Sequence, residues 1–292
     1  MPTIRLATRG SAQASTQSEH VAQQLRRAGF DAELVVISTH GDRTQADGVP
    51  LHTIGGQGVF VKEVQVAVLD GRADLAVHSA KDLPSTPHDG LMIGAFTERR
   101  SAADALIGRS LVDLPAGATV ATGSVRRRAQ LRRARPDLDF VELRGNIHTR
   151  LDRVPDGGAV VMAVAALEVL GLTDRIADRL DTAEFVPAVG QGCVAVECRV
   201  DDDRMRDALE AVDHAPTRAE VEVERAFLAE LGSGCSLPVG AHVDAGKLFT
   251  FLADEASGVT VSDTIELVGD VIVDRERARQ AAAAALAFVS EG

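Results

Sequence analysis

No tryptophan and no tyrosine occur in this chain, and aromatic residues make up only 3% of it. Aliphatic side chains must therefore build the core, and the aromatic platforms on which nucleic-acid bases stack are missing. Cysteine is scarce, at Cys193, Cys198 and Cys235. An odd, sparse set makes no disulfide framework. Neither CxxC nor HExxH is present, so no zinc signature and no metal site is expected. The longest apolar runs fall well short of the roughly 20 residues that span a bilayer. The first seven residues include Arg5 and lack the apolar run of a secretory signal. The expectation is a soluble, cytoplasmic protein with no membrane partner. Positive charge is also short: 31 Lys and Arg against 43 Asp and Glu leave a net charge of −12. General nucleic-acid binding depends on neutralising phosphates, so no nucleic-acid partner is expected, although a local basic pocket remains open.

What is present is ordinary globular material, with 45% hydrophobic and 25% charged residues. At 292 residues the chain is too long for one core and points to two or three domains. Strand-like and helix-like segments alternate through the first half. Residues 3–8, 32–38, 74–78 and 91–96 read as strands, and 11–28 and 59–69 as helices stopped by Gly29 and Gly71. A second block repeats the rhythm, with strands at 119–122, 139–143 and 159–163 and helices at 124–135, 146–153 and from 164 through Leu170. The polar stretch 97–104 is a crossover between the blocks, and 185–192 (FVPAVGQG) a return crossover. The alternating run 193–199 is placed to rejoin the first sheet. The tail changes pattern: a helix at 217–231 with a threonine cap, strands at 239–243, 248–252 and 259–267, and an alanine-rich helix at 274–289. The fold class expected is α/β, two similar domains with mixed, mainly parallel sheets plus a small C-terminal α+β domain. The boundaries are 1–96 with 192–213, then 97–191, then 214–292.

Three junctions share one chemistry. A strand ends, a short turn with Gly and Arg follows, and a helix begins, at Thr8-Arg9-Gly10-Ser11, at Thr122-Gly123-Ser124-Val125-Arg126-Arg127 and at Arg144-Gly145-Asn146. Helix N-termini present unpaired N–H groups and partial positive charge, and arginine forks nearby make such turns anion sites. Simple capping with solvated arginines is the plainer explanation of any one of them; three in one acidic chain favour a ligand. Arg132, Arg133 and Arg135 lie beyond the first turn and read as exposed. Lys81 and Asp82 follow a strand and precede Pro84, which brings a cation and a carboxylate to one strand end; an ordinary polar turn is the alternative. His78 and Ser79 are adjacent but lack a GxSxG elbow, so His78 reads as structural. The loop Gly55-Gly56-Gln57-Gly58 lacks the ending of a phosphate-binding loop and reads as a turn. Cys193 and Cys198 fit buried hydrophobes, whereas glycines flank Cys235 and suit a thiol open to covalent attachment.

The segments VHSAKDLP, ATGSVRRRAQL, LRGNIHTRL, VPAVGQG and GSGCSLPVG, in this order, resemble the porphobilinogen deaminase (hydroxymethylbilane synthase) family over nearly the whole length. The resemblance implies an enzyme of tetrapyrrole biosynthesis that joins four porphobilinogen molecules head to tail and releases ammonia. It implies two domains like those of periplasmic solute-binding proteins, with the active site between them, and a third carrying a covalent dipyrromethane cofactor. The attachment residue would be Cys235 and the catalytic residue Asp82. Lys81, Thr122, Ser124, Arg126, Arg127 and Arg144 would hold the cofactor, and Arg9, Ser11, Arg150 and Gln191 the substrate, in what is read as a monomer. Each pyrrole carries an acetate and a propionate, so the growing chain is a polyanion that guanidinium forks suit. Thr53, Gln57 and Val169 stand where relatives often have basic residues, and His148 where glycine is common; none of these changes touches Asp82 or Cys235. Two other readings are a non-catalytic binder of a small carboxylic acid using the same arginine turns, and a nucleic-acid binder using the arginines from Arg126 to Arg135.

Overall fold

The computed structural model describes residues 2–39, 61–232 and 237–291. The glycine-rich loop at 55–58, Thr53, Gln57 and Cys235 lie outside the described residues. Along the chain the strands are β1 (Ile4–Arg9), β2 (Ala32–Ile37), β3 (Leu75–Ser79), β4 (Leu91–Phe96), β5 (Asp104–Ile107), β6 (Thr119–Ala121), β7 (Asp139–Val141), β8 (Ala159–Ala163), β9 (Ile176–Arg179) and β10 (Val194–Arg199). They form two five-stranded sheets, in the orders β2-β1-β3-β10-β4 and β7-β6-β8-β5-β9.

The two sheets have one design. In each, three strands run parallel, β2-β1-β3 in the first and β7-β6-β8 in the second. An antiparallel strand then separates the third from the edge, β10 in the first and β5 in the second. The expected return of the 193–199 run to the first sheet is thus observed, with Val196 opposite Val77 on one side and Ala95 on the other. The sheets are mixed, and the parallel share of the pairings is half. Helices α1 (Ala12–Arg27) and α2 (Lys62–Leu69) flank the first sheet, and α3 (Val125–Ala134), α4 (Ile147–Leu151) and α5 (Val164–Val169) the second. α1 seals the first sheet with Val21, Ala22 and Leu25, all fully buried against Ile4, Leu6 and Leu75. Burying three such side chains contributes on the order of 5 kcal/mol before entropy is counted.

Three elements differ from the expectation. β5 begins at the last residue of the stretch read as crossover and runs beyond it to Ile107, a four-residue strand, all buried, that opens on an aspartate. β9 is a polar edge strand with the sequence IADR, and α6 (Asp203–Leu209) is a short helix capped by Asp202. Neither carries a long apolar period. The tail helix, α7 (Ala215–Glu230), starts two residues before Thr217 and is capped by the ring of His214, not by the threonine; Pro216 occupies its first turn, where no N–H partner is needed.

α7 and α8 (Val271–Glu291) pack on the antiparallel sheet β11 (Val239–Asp244), β12 (Lys247–Ala253) and β13 (Thr260–Glu266). The alanine run pays little entropy and gives α8 a thin face: Ala278, Ala282 and Ala285 are buried at helical spacing with Phe227 and Leu252. No described helix is long and apolar enough to cross a membrane.

Two chain segments, 97–103 and 180–193, connect the sheets and run side by side. Arg100 N–H donates to the Gly192 carbonyl and Thr97 N–H to that of Val194. The backbone demands glycine here. Gly190 has φ +69° and Gly192 φ +98°, and a Cβ at Gly190 would come within 2.9 Å of the Ala80 Cβ. The pair of segments is pinned to the C-terminal domain by Glu224 of α7, which is fully buried. Its carboxylate accepts from both arms of the Arg99 guanidinium at 2.7 and 2.8 Å, and from the backbone N–H groups of Gly190 and Val243. Burial opposes the charge, yet Arg99 and His242 hold Glu224 down at about 2.

The Glu224→Gln variant leaves the buried Arg99 guanidinium with only the partly exposed Glu220, 3.4 Å away, as counter-charge and is expected to lose about 3 kcal/mol of stability in urea unfolding. Because the folded-state value lies below the ordinary carboxylate value of about 4.5, the native protein loses this contribution as pH falls from about 4.5 to about 2. An acid unfolding curve of the variant that lacks that component is the check.

Candidate active site

The site residues come from the C-terminal ends of the parallel strands, where open α/β sheets place their ligands. In the first sheet β1 ends in Arg9, Gly10 and Ser11, and its neighbour β3 ends in Ser79, Ala80, Lys81 and Asp82. In the second sheet β6 leads to Thr122, Gly123 and Ser124, and its neighbour β7 to Arg144, Gly145 and Asn146. All three expected helix caps form: Ser11 accepts from Ala14 N–H, Ser124 from Arg127 N–H and Asn146 from Thr149 N–H. Thr122, 2% exposed, turns inward and accepts from Ser124 N–H at 3.2 Å.

The two sets of strand ends face each other. Lys81 Nζ donates to Gln191 Oε1 at 3.3 Å, and Gln191 Nε2 donates to Asp104 Oδ1 at 2.9 Å and to the Ala102 carbonyl at 2.6 Å. Arg126 and Arg127 both close on the same Asp104 carboxylate, at 2.8 and 2.6 Å. Their remaining donors reach the carbonyls of Val186 and Val161. At 5% and 8% exposure, these two arginines form the floor of the cleft. Gln191, 1% exposed, meets the cleft only through Lys81.

Above that floor lie the groups with capacity to spare. Arg144 is nearly buried, yet among the described residues its Nε and Nη2 have no hydrogen-bond partner, and the carboxylate paired with it, Glu142, is 3.9 Å away. Arg150 donates through Nε to the Gly145 carbonyl. Burial and the adjacent Arg127 push Arg150 down to about 10, against the pull of Asp82 and Glu142. Burial and Arg127 likewise push Lys81 down to about 8, against Asp82 and Asp104. Asp82, from one sheet, is therefore close enough to act on Lys81 beside it and on Arg150 from the other sheet. Around this gap Lys81, Arg126, Arg127, Arg144 and Arg150 face Asp82, Asp104 and Glu142. Among these described residues that is an excess of two positive charges, in a chain of net charge −12, which an acidic ligand would neutralise.

Sequence reasoning missed Asp104. The available signal was a lone carboxylate in the apolar stretch AADALI, since a buried charge requires a partner. Among the residues noted as departing from the family, His148 is exposed on α4, and Val169 ends α5.

The geometry defines a class: a two-lobed α/β protein with a positively charged cleft at facing strand ends and one carboxyl group, Asp82, from the first sheet beside it. Comparison with known proteins narrows this. Residues 4–207 match the family described as porphobilinogen deaminase, dipyromethane cofactor binding domain, and residues 218–278 match the porphobilinogen deaminase C-terminal domain. The porphobilinogen deaminase of Xanthomonas oryzae pv. oryzae (strain PXO99A) is 49% identical over 248 residues, covering 82% of this chain and 81% of its own. That of Nitratidesulfovibrio vulgaris is 45% identical over 249 residues, covering 83% and 78%. The chain belongs to the porphobilinogen deaminase family. It is an enzyme of tetrapyrrole synthesis that condenses porphobilinogen head to tail and uses a dipyrromethane cofactor. Among solved structures, the methionine-binding protein MetQ overlaps 74% of this chain and 92% of its own at 14% identity and a TM-score of 0.46. A periplasmic substrate-binding protein of an ABC transporter from Coxiella burnetii overlaps 74% and 94% at 15% identity and a TM-score of 0.43. Likenesses this loose say nothing of a ligand.

Arg144→Met is expected to fold with unchanged or slightly higher melting temperature, because two of the lost nitrogens have no hydrogen-bond partner among the described residues and the pairing with Glu142 is long, at 3.9 Å. The KM for porphobilinogen is expected to rise about 10- to 100-fold, the value of one charge-assisted contact. Steady-state kinetics beside a melting curve check both halves.

Proposed function

We propose that the condensation takes place in the gap between the two sets of strand ends, with the first lobe (1–96 and 192–213) supplying the reacting carboxyl group and the second (97–191) the anion floor. The observation that carries this reading is the uncompensated positive charge around Asp82, above all the unpartnered nitrogens of Arg144. The substrate fits it: each porphobilinogen brings two carboxylates, and the cleft offers forks and an ammonium that lack enough counter-charge of their own.

Asp82 is the catalytic residue. As ammonia leaves porphobilinogen, a cationic azafulvene remains, and a carboxylate fixed beside it stabilises that charge and accepts hydrogen bonds from pyrrole N–H groups. Arg150 lies near Asp82 and holds a substrate carboxylate beside it. Arg9 and Ser11, at the end of β1, extend the same row. Dipyrromethane is itself an acidic two-pyrrole unit, and the donor set suits it: Lys81 and Arg144 bind its carboxylates, the turn at Thr122 and Ser124 presents helix N–H groups, and Arg126 and Arg127 add positive potential from beneath. Attached through Cys235 of the third domain (214–292), it supplies the primer end from which the chain is built. The two thiols among the described residues, Cys193 and Cys198, are buried and unpaired, which suits a reducing cytoplasm. We take the working unit to be a monomer, because the excess charge and Asp82 all come from one chain.

Two other readings are disfavoured. A binding protein needs no reacting carboxyl group beside its anion site, and a nucleic-acid binder would use arginines at the surface, whereas Arg126 and Arg127 lie under the cleft.

The test is an assay of the purified protein with porphobilinogen, following its consumption and the ammonia formed. Asp82→Asn is expected to lower turnover by at least about 100-fold while mass spectrometry still finds the two-pyrrole adduct on the Cys235 peptide. Near-normal ammonia release by that variant, or an adduct on another residue, overturns the assignment.

A further inference from the structure

Asp104 is 1% exposed at the start of β5 and lies beneath the gap, under Arg126 and Arg127. Nevertheless it receives more charged and polar donors than any catalytic function assigned above would require. Oδ2 accepts from Arg126 Nη2 at 2.8 Å. Oδ1 accepts from Arg127 Nε and Nη2 at 3.0 and 2.6 Å and from Gln191 Nε2 at 2.9 Å. Gln191 is held by its second amide hydrogen to Ala102, so its Oε1 is left pointing at Lys81 Nζ. An amide has only one such orientation here: donors to a carboxylate and a carbonyl on one side, acceptor to an ammonium on the other.

We propose that Asp104 is a positioning residue of the condensation: through the two arginine forks and the Gln191 amide it sets where the cleft's cations stand, including the Lys81 ammonium beside Asp82. The inference rests on the functional reading above and deepens it. One buried carboxylate orients three cations, two directly and one through an amide, and it joins the second lobe to the strand end of the first. Such a group shapes binding without touching ligand. Its charge also reaches Lys81, whose neighbours are Arg127 and Arg126 from α3, Asp82 on its own turn, and Asp104 from β5. The arginines oppose the ammonium and the carboxylates favour it. With Asp104 neutralised, the balance tips against the charged lysine.

The chain has three lysines, Lys62, Lys81 and Lys247, so NMR of full-length protein labelled with 13Cε-lysine gives three resonances, and a Lys81→Arg sample identifies the one required. In cofactor-free protein (Cys235→Ala, compared throughout the titrations) Lys81 is expected to titrate near the low value of about 8. In Asp104→Asn its midpoint is expected about one pH unit lower, with the KM for porphobilinogen raised roughly tenfold. Gln191→Glu introduced into Asp104→Asn returns a negative charge to the same cluster and is expected to move both values back. An Asp104→Asn protein that folds, titrates Lys81 at the wild-type pH and keeps its KM overturns the proposal, whatever its melting temperature. Should Asp104→Asn fail to fold, Gln191→Leu decides, since it cuts the link and leaves every charge in place: a lowered Lys81 midpoint supports the proposal and an unchanged one overturns it. A wild-type protein that consumes no porphobilinogen defeats the functional reading instead, and the titrations still report on Asp104.

Discussion

Like charges crowd together at the facing strand ends, and the rest of the structure is arranged to tolerate them. Two guanidinium groups share one carboxylate beneath the cleft, a lysine is pushed down toward neutrality beside them, and a further arginine stands with two nitrogens unpaired. In water such a cluster would disperse. Here the caps of three helices, the register of two parallel strand pairs and the buried Asp104 hold it in place. On the function proposed, a polyanion entering the gap would relieve the repulsion.

Holding two lobes at a fixed separation is the second requirement, and a different ion pair serves it. Arg99 lies on one connecting segment and Glu224 on the C-terminal domain, while Gly190 on the other segment donates its N–H to the same carboxylate. The third domain thereby grips both connections at one point. It also reaches each lobe separately. Arg225 donates to the carbonyls of Pro84 and Ser85, just beyond Asp82, and Arg133 of the second lobe lies over the Phe251 ring. The turn bearing Asp82 is thus fixed from outside its own domain.

The parts of this organisation legible in the sequence are those written in local chemistry. Ser11, Ser124 and Asn146 announce helix starts because a cap needs a short oxygen acceptor followed by helix formers, and each was found capping. Val21 and Leu25 reveal a buried face by spacing alone. The interior run 193–199 could be assigned to the first sheet because it alternates like a strand and follows the return crossover. What could not be read is pairing over distance. Arg126 and Arg127 look like ligand residues at a turn; that their forks close on Asp104, 22 and 23 residues earlier, is decided only when β5 slides in beside β8. Gln191 looks like a ligand in the same way and proves to be an internal bridge. β5 itself was hidden because it is only four residues long and opens on a charged residue, Asp104.

The position of β10 bears on how the protein is made. It lies inside the first sheet, between β3 and β4, yet it is encoded about a hundred residues after β4, with the entire second sheet in between. During vectorial synthesis the second sheet, whose strands all fall between residues 104 and 179, leaves the ribosome complete and can close while the first still has an open seam. The nascent N-terminal sheet must keep β3 and β4 apart, or pair them wrongly, until residues 194–199 arrive. The half of the molecule that is translated first is the half that finishes folding later.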